Sequence, residues 1–251
     1  MLINKTLYGY NDVTIIPSII SEINHRKECN TFDNNGFLPI FTAPMSSVVC
    51  EDNFEIFEKN HINAILPRNI NLETRIKYAL KKYFESYVKR NKKVLIDVAN
   101  GHMKQIYNLV KKSKELYGDT IEIMIGNIAN PETYIEAANC GVDYIRCSIG
   151  SGSCCITSSN LGIHYGIASL IDEIYKIKLM LAEKKPIETL PKIIADGGVR
   201  NYSDIIKALA LGADFVMVGG LFASLIESAG KTFVEDKNGD VIELYPLEYH
   251  T

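Results

Sequence analysis

From residue 38 to the end, short apolar runs alternate with amphipathic stretches, and no other feature restricts the fold of this chain so strongly. The runs Leu38–Thr42, Ala64–Leu66, Val94–Val98, Ile121–Ile125, Asp143–Cys147, Ile193–Asp196 and Phe215–Val218 read as strands. Helical spacing falls near residues 52–60, 103–117, 132–139, 164–184 and 202–211. A strand that is apolar on both faces must be covered on both faces. Helices placed between such strands supply that cover, which indicates a parallel sheet of the α/β class. Segment 72–91 reads either as one helix or as a short strand around Tyr78–Leu80 followed by a short helix. The second option gives eight strands and a closed (β/α)8 TIM barrel. With seven strands, an open doubly wound sheet stays possible.

The 251 residues show no linker, low-complexity tract or clean repeat, so a single domain over 1–251 is expected. Residues 1–37 precede the first βα unit and are expected to cover the barrel bottom or one mouth. Pro131 sits where it can start a helix after Asn130. Asn238-Gly239 lies between the alternating runs Thr232–Glu235 and Val241–Leu244, a hairpin signal after the last strand. A net charge of −3 and a pI near 6.0 give no electrostatic case for nucleic acid or a membrane surface. The N-terminus lacks the apolar run of a signal peptide, and no stretch reaches the length of a membrane span. The six cysteines have no Cys-x-x-Cys spacing, and adjacent Cys154 and Cys155 are poorly placed for an ordinary disulfide. A reduced, cytoplasmic compartment is the expectation. Ligand spacing for a transition metal is absent, because the five histidines are scattered.

Chemistry gathers where a barrel carries its active site, at the carboxyl ends of the strands. The runs there are Asp97-Val98-Ala99-Asn100-Gly101-His102, Gly126-Asn127, the loop after Cys147, Asp196-Gly197-Gly198 and Gly219-Gly220. The loop reads Gly150-Ser151-Gly152-Ser153-Cys154-Cys155-Ile156-Thr157. Its glycines allow a sharp turn and close approach to a ligand. Cys155 is the candidate nucleophile and Thr157 a candidate proton donor. Glycine turns on two consecutive strands present amides that can cradle a phosphate, and Asp196 beside them suits ribose hydroxyls. The same glycines also serve simple helix packing, with Asp196 as an N-cap. For this pair, preceded by a cysteine loop, a nucleotide phosphate is the favoured reading. His102 and His164 read as capping or core histidines. Met45 follows Pro44 at the end of the first strand and faces the expected mouth.

Together these residues resemble the IMP dehydrogenase / GMP reductase family. The resemblance starts at Tyr10-Asn11-Asp12-Val13 and runs nearly the whole chain. It is carried by Pro39-Ile40-Phe41-Thr42-Ala43-Pro44-Met45, Asp97-Val98-Ala99-Asn100-Gly101, the cysteine loop, Ala195-Asp196-Gly197-Gly198 and Val216-Met217-Val218-Gly219-Gly220. It implies a (β/α)8 barrel that assembles as a homotetramer. It implies that Cys155 attacks C2 of a purine nucleoside monophosphate and forms a covalent thioimidate. The 5′-phosphate would rest on Ser153 and the amides of Gly198, Gly219 and Gly220, and Asp196 would hold the ribose. Gly197 and Met217 fall with the substrate-binding residues, and Met45 would pack beside the base. Asp97 would touch the nicotinamide ribose, with Asn127 and Arg146 also on the cofactor side. Potassium would bind carbonyls at Gly150, Gly152 and Cys155.

Two branches share this pattern. The reductase uses NADPH and converts GMP to IMP; the dehydrogenase uses NAD and converts IMP to XMP. The Asp97–Gly101 strand end resembles the reductase version, and Ile226-Glu227-Ser228-Ala229-Gly230 resembles its acidic loop, with Glu227 relaying a proton through Thr157. Only about 25 residues separate Arg68 from Val94, which leaves no room for a regulatory insert, and no Arg-Tyr dipeptide exists to activate water. Arg146 and the wording of the cysteine loop resemble the dehydrogenase. The expectation is therefore reductive deamination of GMP, with the dehydrogenase reaction as the alternative. Only 31 residues follow Gly220 (251 − 220), so a truncated last barrel helix is expected, and a nucleotide-binding barrel with impaired turnover is a further alternative.

Overall fold

The computed structural model describes residues 6–16, 23, 26–67, 69–71, 73–74, 92–98, 100–149, 162–225, 227–230, 232–235 and 241–244. Strands β1 (Ile40–Thr42), β2 (Lys92–Asp97), β3 (Ile121–Ile128), β4 (Tyr144–Cys147), β5 (Lys192–Asp196) and β6 (Phe215–Val218) form one sheet. The helices are α1 (Phe54–Lys59), α2 (Lys104–Tyr117), α3 (Thr133–Cys140), α4 (Ile167–Ala182), α5 (Tyr202–Ala210) and the short α6 (Gly220–Ala223). Strand order is β1-β6-β5-β4-β3-β2, with every neighbour parallel. From β2 to β6 each strand lies beside its predecessor, and β1 then pairs with β6. A doubly wound sheet reverses direction at a switch point, and this order contains none. The sheet is a parallel α/β half-barrel, consistent with part of a TIM barrel.

One expected strand is not there. Ala64–Leu66 forms no ladder; Asn63 alone makes a parallel bridge, to Phe41. The reason lies in Thr42, whose hydroxyl accepts the Ile65 N–H at 2.9 Å and so takes the place of a backbone partner. The bridge still puts this segment against the free side of β1. The expected strand at Tyr78–Leu80 lies outside the described residues. Strands β7 (Thr232–Glu235) and β8 (Val241–Leu244) pair antiparallel, from Thr232 opposite Leu244 to Glu235 opposite Val241. The expected turn at Asn238-Gly239 lies outside the described residues.

Alternation along each strand separates two cores. Ile145 and Cys147 of β4, Ile193 and Ala195 of β5, and Val216 and Val218 of β6 pack outward against the helices. Tyr144, Ile194, Phe215 and Met217 point to the other side, where they meet Phe41 and Met124. This inner layer packs toward the amino end of the half-barrel, so the next inward positions, Arg146 and Asp196, fall at the carboxyl end of the sheet.

A repeated device fixes the start of two strands. Gly141 ends α3 in the left-handed conformation at φ 79°, and Asp143 follows two residues later. The Asp143 carboxylate accepts the Ile123 N–H at 2.6 Å and the Lys114 ammonium at 2.7 Å. At the end of α5, Gly212 turns at φ 105°, where a Cβ would strike the Tyr175 ring. Asp214 then accepts the Ile193 N–H at 2.7 Å and the Lys178 ammonium at 2.7 Å. In both cases a Gly-x-Asp turn ties one strand to its neighbour and neutralises a lysine from an adjoining helix. The sequence contains this repeat as Gly141-Val142-Asp143-Tyr144 and Gly212-Ala213-Asp214-Phe215.

Candidate active site

Parallel pairing brings three charged side chains together at the carboxyl end of the sheet. Arg146 donates from Nη1 to Asp97 Oδ1 at 2.6 Å. The same guanidinium donates from Nη2 and Nε to Asp196 Oδ2, at 2.7 Å and 3.2 Å. Asn127 Nδ2 adds a third bond to that oxygen, at 2.6 Å. The Arg146 side chain is 7% exposed, against 27% for Asp97 and 14% for Asp196. Burial by itself would lower the Arg146 pKa, but Asp196 and then Asp97 offset it, and the value lies above the ordinary one. One always-charged fork thus holds two carboxylates from β2 and β5. Among the described residues these bonds fall on Asp97 Oδ1 and Asp196 Oδ2, so Asp97 Oδ2 and Asp196 Oδ1 can accept from hydroxyl groups.

Gly126 makes room for this bridge. A Cβ there would collide with Cβ and the backbone of Arg146. The β3–β4 register shifts between Gly126 and Ile128, and the Gly126–Asn127 peptide is cis. Gly101 is constrained in the same way, since a Cβ would lie 2.7 Å from the Asn127 carbonyl. His102 follows. Its Nε2 accepts the Ala129 N–H at 3.2 Å, and its Nδ1 faces Thr133 Oγ1 at 2.9 Å. Burial lowers its pKa, in keeping with a neutral ring that joins two βα loops. The structural reading of this histidine fits those contacts. His164 is exposed.

Gly197 and Gly198 follow Asp196 with φ of 91° and 75°, a turn few side chains adopt. Asn201, not Asp196, is the N-cap of α5; it accepts the Asp204 N–H. Across β6, Gly219 packs under Met45: a Cβ would lie 3.1 Å from the Met45 sulfur and 3.3 Å from Ala43 Cβ. A Cβ on Gly220 would meet nothing within 4 Å. Met45 is half-buried and bridges two apolar clusters. Met217 is 1% exposed and belongs to the inner layer beneath the site. Glu227 is half-buried in the turn after α6. Gly150, Gly152, Ser153, Cys155 and Thr157 lie outside the described residues. Cys147, just before that loop, packs outward, and burial pushes its thiol up, so it stays protonated. Among the described residues no group of three or more His, Cys, Asp or Glu could hold a metal ion. No described helix is long and apolar enough to cross a membrane.

Arg146 was expected on the cofactor side, but its bridge to both Asp97 and Asp196 emerges only once β2, β4 and β5 are in register. One residue was missed altogether. Asn53 precedes α1 and has the pattern of an ordinary N-cap, yet its side chain makes no cap bond and turns elsewhere.

A parallel half-barrel with paired carboxylates and glycine turns at its carboxyl edge defines an α/β protein of the TIM-barrel type. Within that class, residues 85–245 match the model of the IMP dehydrogenase / GMP reductase domain. The chain belongs to this family. It is similar to the GMP reductases of Streptococcus pneumoniae (strain JJA) and Streptococcus suis (strain 05ZYH33), 31% identical over 94% of this chain and 76% of each relative. It is likewise similar to the GMP reductase of Enterococcus faecalis (strain ATCC 700802 / V583), 31% identical over 92% of this chain and 75% of the relative.

Proposed function

We propose that this protein is a purine nucleotide oxidoreductase that reduces GMP to IMP with NADPH and releases ammonia. The observation that carries the reading is the pair of inward carboxylates, Asp97 and Asp196, held 49 and 50 residues from their common partner Arg146. Each keeps an oxygen for a hydroxyl, and the two would serve the ribose of the cofactor and the ribose of the nucleotide. Asn127 and Arg146 act on these ligands through the carboxylates they hold. The turns at Gly197-Gly198 and Gly219-Gly220 would take the 5′-phosphate, with Ser153, while Met45 would lie along the base. Met217 would support that pocket from below.

Cys155 is the nucleophile in this reading. Its thiolate adds to C2, the amine leaves as ammonia, and a hydride from NADPH then reduces C2 and releases the thiol. The amino group on C2 leaves readily, as ammonia, only once it is protonated, so Glu227 supplies the proton through Thr157. Carbonyls of Gly150, Gly152 and Cys155 are the candidate ligands for potassium; no step is routed through the ion. One domain over 1–251, a homotetramer and a cytoplasmic location complete the proposal. Arg146 keeps the dehydrogenase reaction as the second reading.

The test is spectrophotometric. In potassium buffer, GMP should drive loss of NADPH absorbance with stoichiometric ammonia. Reduction of NAD by IMP, with no GMP-dependent oxidation of NADPH, would assign the other branch. Tight GMP binding with neither reaction would leave a binding barrel.

A further inference from the structure

The turn after α6 is anchored from outside by one buried side chain. Asn53 is 5% exposed. Its Nδ2 donates to the Glu227 carbonyl at 2.7 Å and to the Val48 carbonyl at 2.9 Å. Its Oδ1 accepts the Cys50 N–H at 2.8 Å. The segment it grips begins at Met45, whose carbonyl accepts the N–H of Val48 at 2.9 Å and of Val49 at 3.0 Å. The two segments also meet where Ala229 N–H reaches the Val48 carbonyl at 3.3 Å. Near by, a Cβ on Gly230 would stand 3.1 Å from the Ser47 carbonyl. So a single carboxamide, all of its polar atoms engaged, joins the turn that carries Met45 to the turn that carries Glu227. These turns are 174 residues apart in sequence at the bonded pair.

We infer that Asn53 is a positioning residue, which sets the Glu227 turn relative to the Met45 turn and so fixes the carboxyl group over the reacting base. The inference rests on the role assigned to Glu227 above. Asn53 touches neither substrate nor cofactor. Its contribution is geometric: proton delivery needs donor and acceptor in hydrogen-bond reach, and displacements near 1 Å can cost about a hundredfold in rate. A carboxylate at position 53 has nearly the same shape and keeps the bond from Cys50, but it loses both donations and faces two carbonyl oxygens instead.

The experiment compares Asn53→Asp and Asn53→Ser in two backgrounds, wild type and Glu227→Gln, after melting curves show which variants are folded. The expected result is a kcat for ammonia release lowered about tenfold to a hundredfold. KM for GMP should stay within about twofold, and the effect should vanish when Glu227 is already glutamine. Amide exchange at Ser228 and Ala229 should rise while the strands keep their protection. An equal loss of kcat in both backgrounds overturns the inference, as does unchanged exchange at those two amides. Wild-type ammonia release in Glu227→Gln alone would instead overturn the proposed acid. The exchange measurement separates that outcome from failure of the anchor, because it reads the Asn53 contacts with no turnover.

Discussion

Arg146 shows how much one side chain can do at this site. Removing it would leave two carboxylates facing each other in a partly buried space, which is why Gly126 must remain bare beside it. Gly220 offers the cleanest test of the proposed phosphate turn. Gly219 is confounded, since a larger residue there presses on Met45 and Ala43. A Cβ at Gly220 enters open space, so Gly220→Val should keep its melting temperature within a few degrees and lose GMP affinity at least about tenfold, the factor equal to 1.4 kcal/mol. Unchanged affinity by calorimetry would show that this turn serves helix packing. His102 carries a pH signature. Its folded pKa lies below its ordinary value through burial, so the unfolded chain binds the proton first. The stability it contributes is complete above about pH 6.5 and is lost as pH falls through the lowered folded value. Urea unfolding should therefore show wild type losing more stability between pH 7.5 and pH 5.5 than His102→Gln does. Equal losses would mean that the ring titrates normally.

At the scale of elements, the Gly-x-Asp turns separate a strong tie from a weak one. The Lys178 side chain is 5% exposed, whereas Lys114 is 18% exposed. Taking away the partner of a buried charge costs about 3–5 kcal/mol, while exposed pairs are worth about 0–1 kcal/mol. Asp214→Ala should thus lie near the buried end of that range and Asp143→Ala clearly below it. Replacing Lys178 as well, with methionine, should restore much of the loss. Chemical denaturation of the three variants measures this. Equal destabilisation by the two aspartate variants would show that strand docking, not charge burial, governs both turns. The repeat spans four residues at each occurrence, which is too short to mark a period along the chain. Its meaning comes from the lysine, which reaches it from a helix 29 residues earlier in one case (Asp143 and Lys114) and 36 residues earlier in the other.

For the whole molecule, strand order decides where a ligand can act. With β1 beside β6, the turns after β1, β5 and β6 lie side by side, so a ligand there would touch the first and the last of the six strands in sequence. A nucleotide bound across these turns should stabilise the fold as a unit. At a GMP concentration 100-fold above Kd the gain should be about 2.7 kcal/mol, and the shift should follow the logarithm of concentration. A melting temperature indifferent to GMP, in protein shown to be folded, would remove the nucleotide from this site. The expected reaction and the anchoring of Glu227 then stand or fall at the smaller scales.

Much of the fold could be seen in the order of residues. The strand at Phe215–Val218 matches its expected bounds, and α2, α3 and α5 lie within a residue or so of the expected spans. Apolar period is a local property, and burial of the same face at every turn reinforces it. Ala64–Leu66 fails because one hydroxyl, on Thr42, competes for the backbone donor, and composition does not reveal such a contest. The glycine turns and Asp97, Asp196 and Glu227 were visible as residues with the right chemistry at strand ends or in loops. Their pairings were not. Arg146 meets Asp97 and Asp196 only through the register of parallel strands, and Asn53 meets Glu227 only because β1 closes against β6. Sequence spacing says which face of an element a side chain occupies; which neighbour it finds there depends on how distant elements pair, and that is settled only when the sheet has formed.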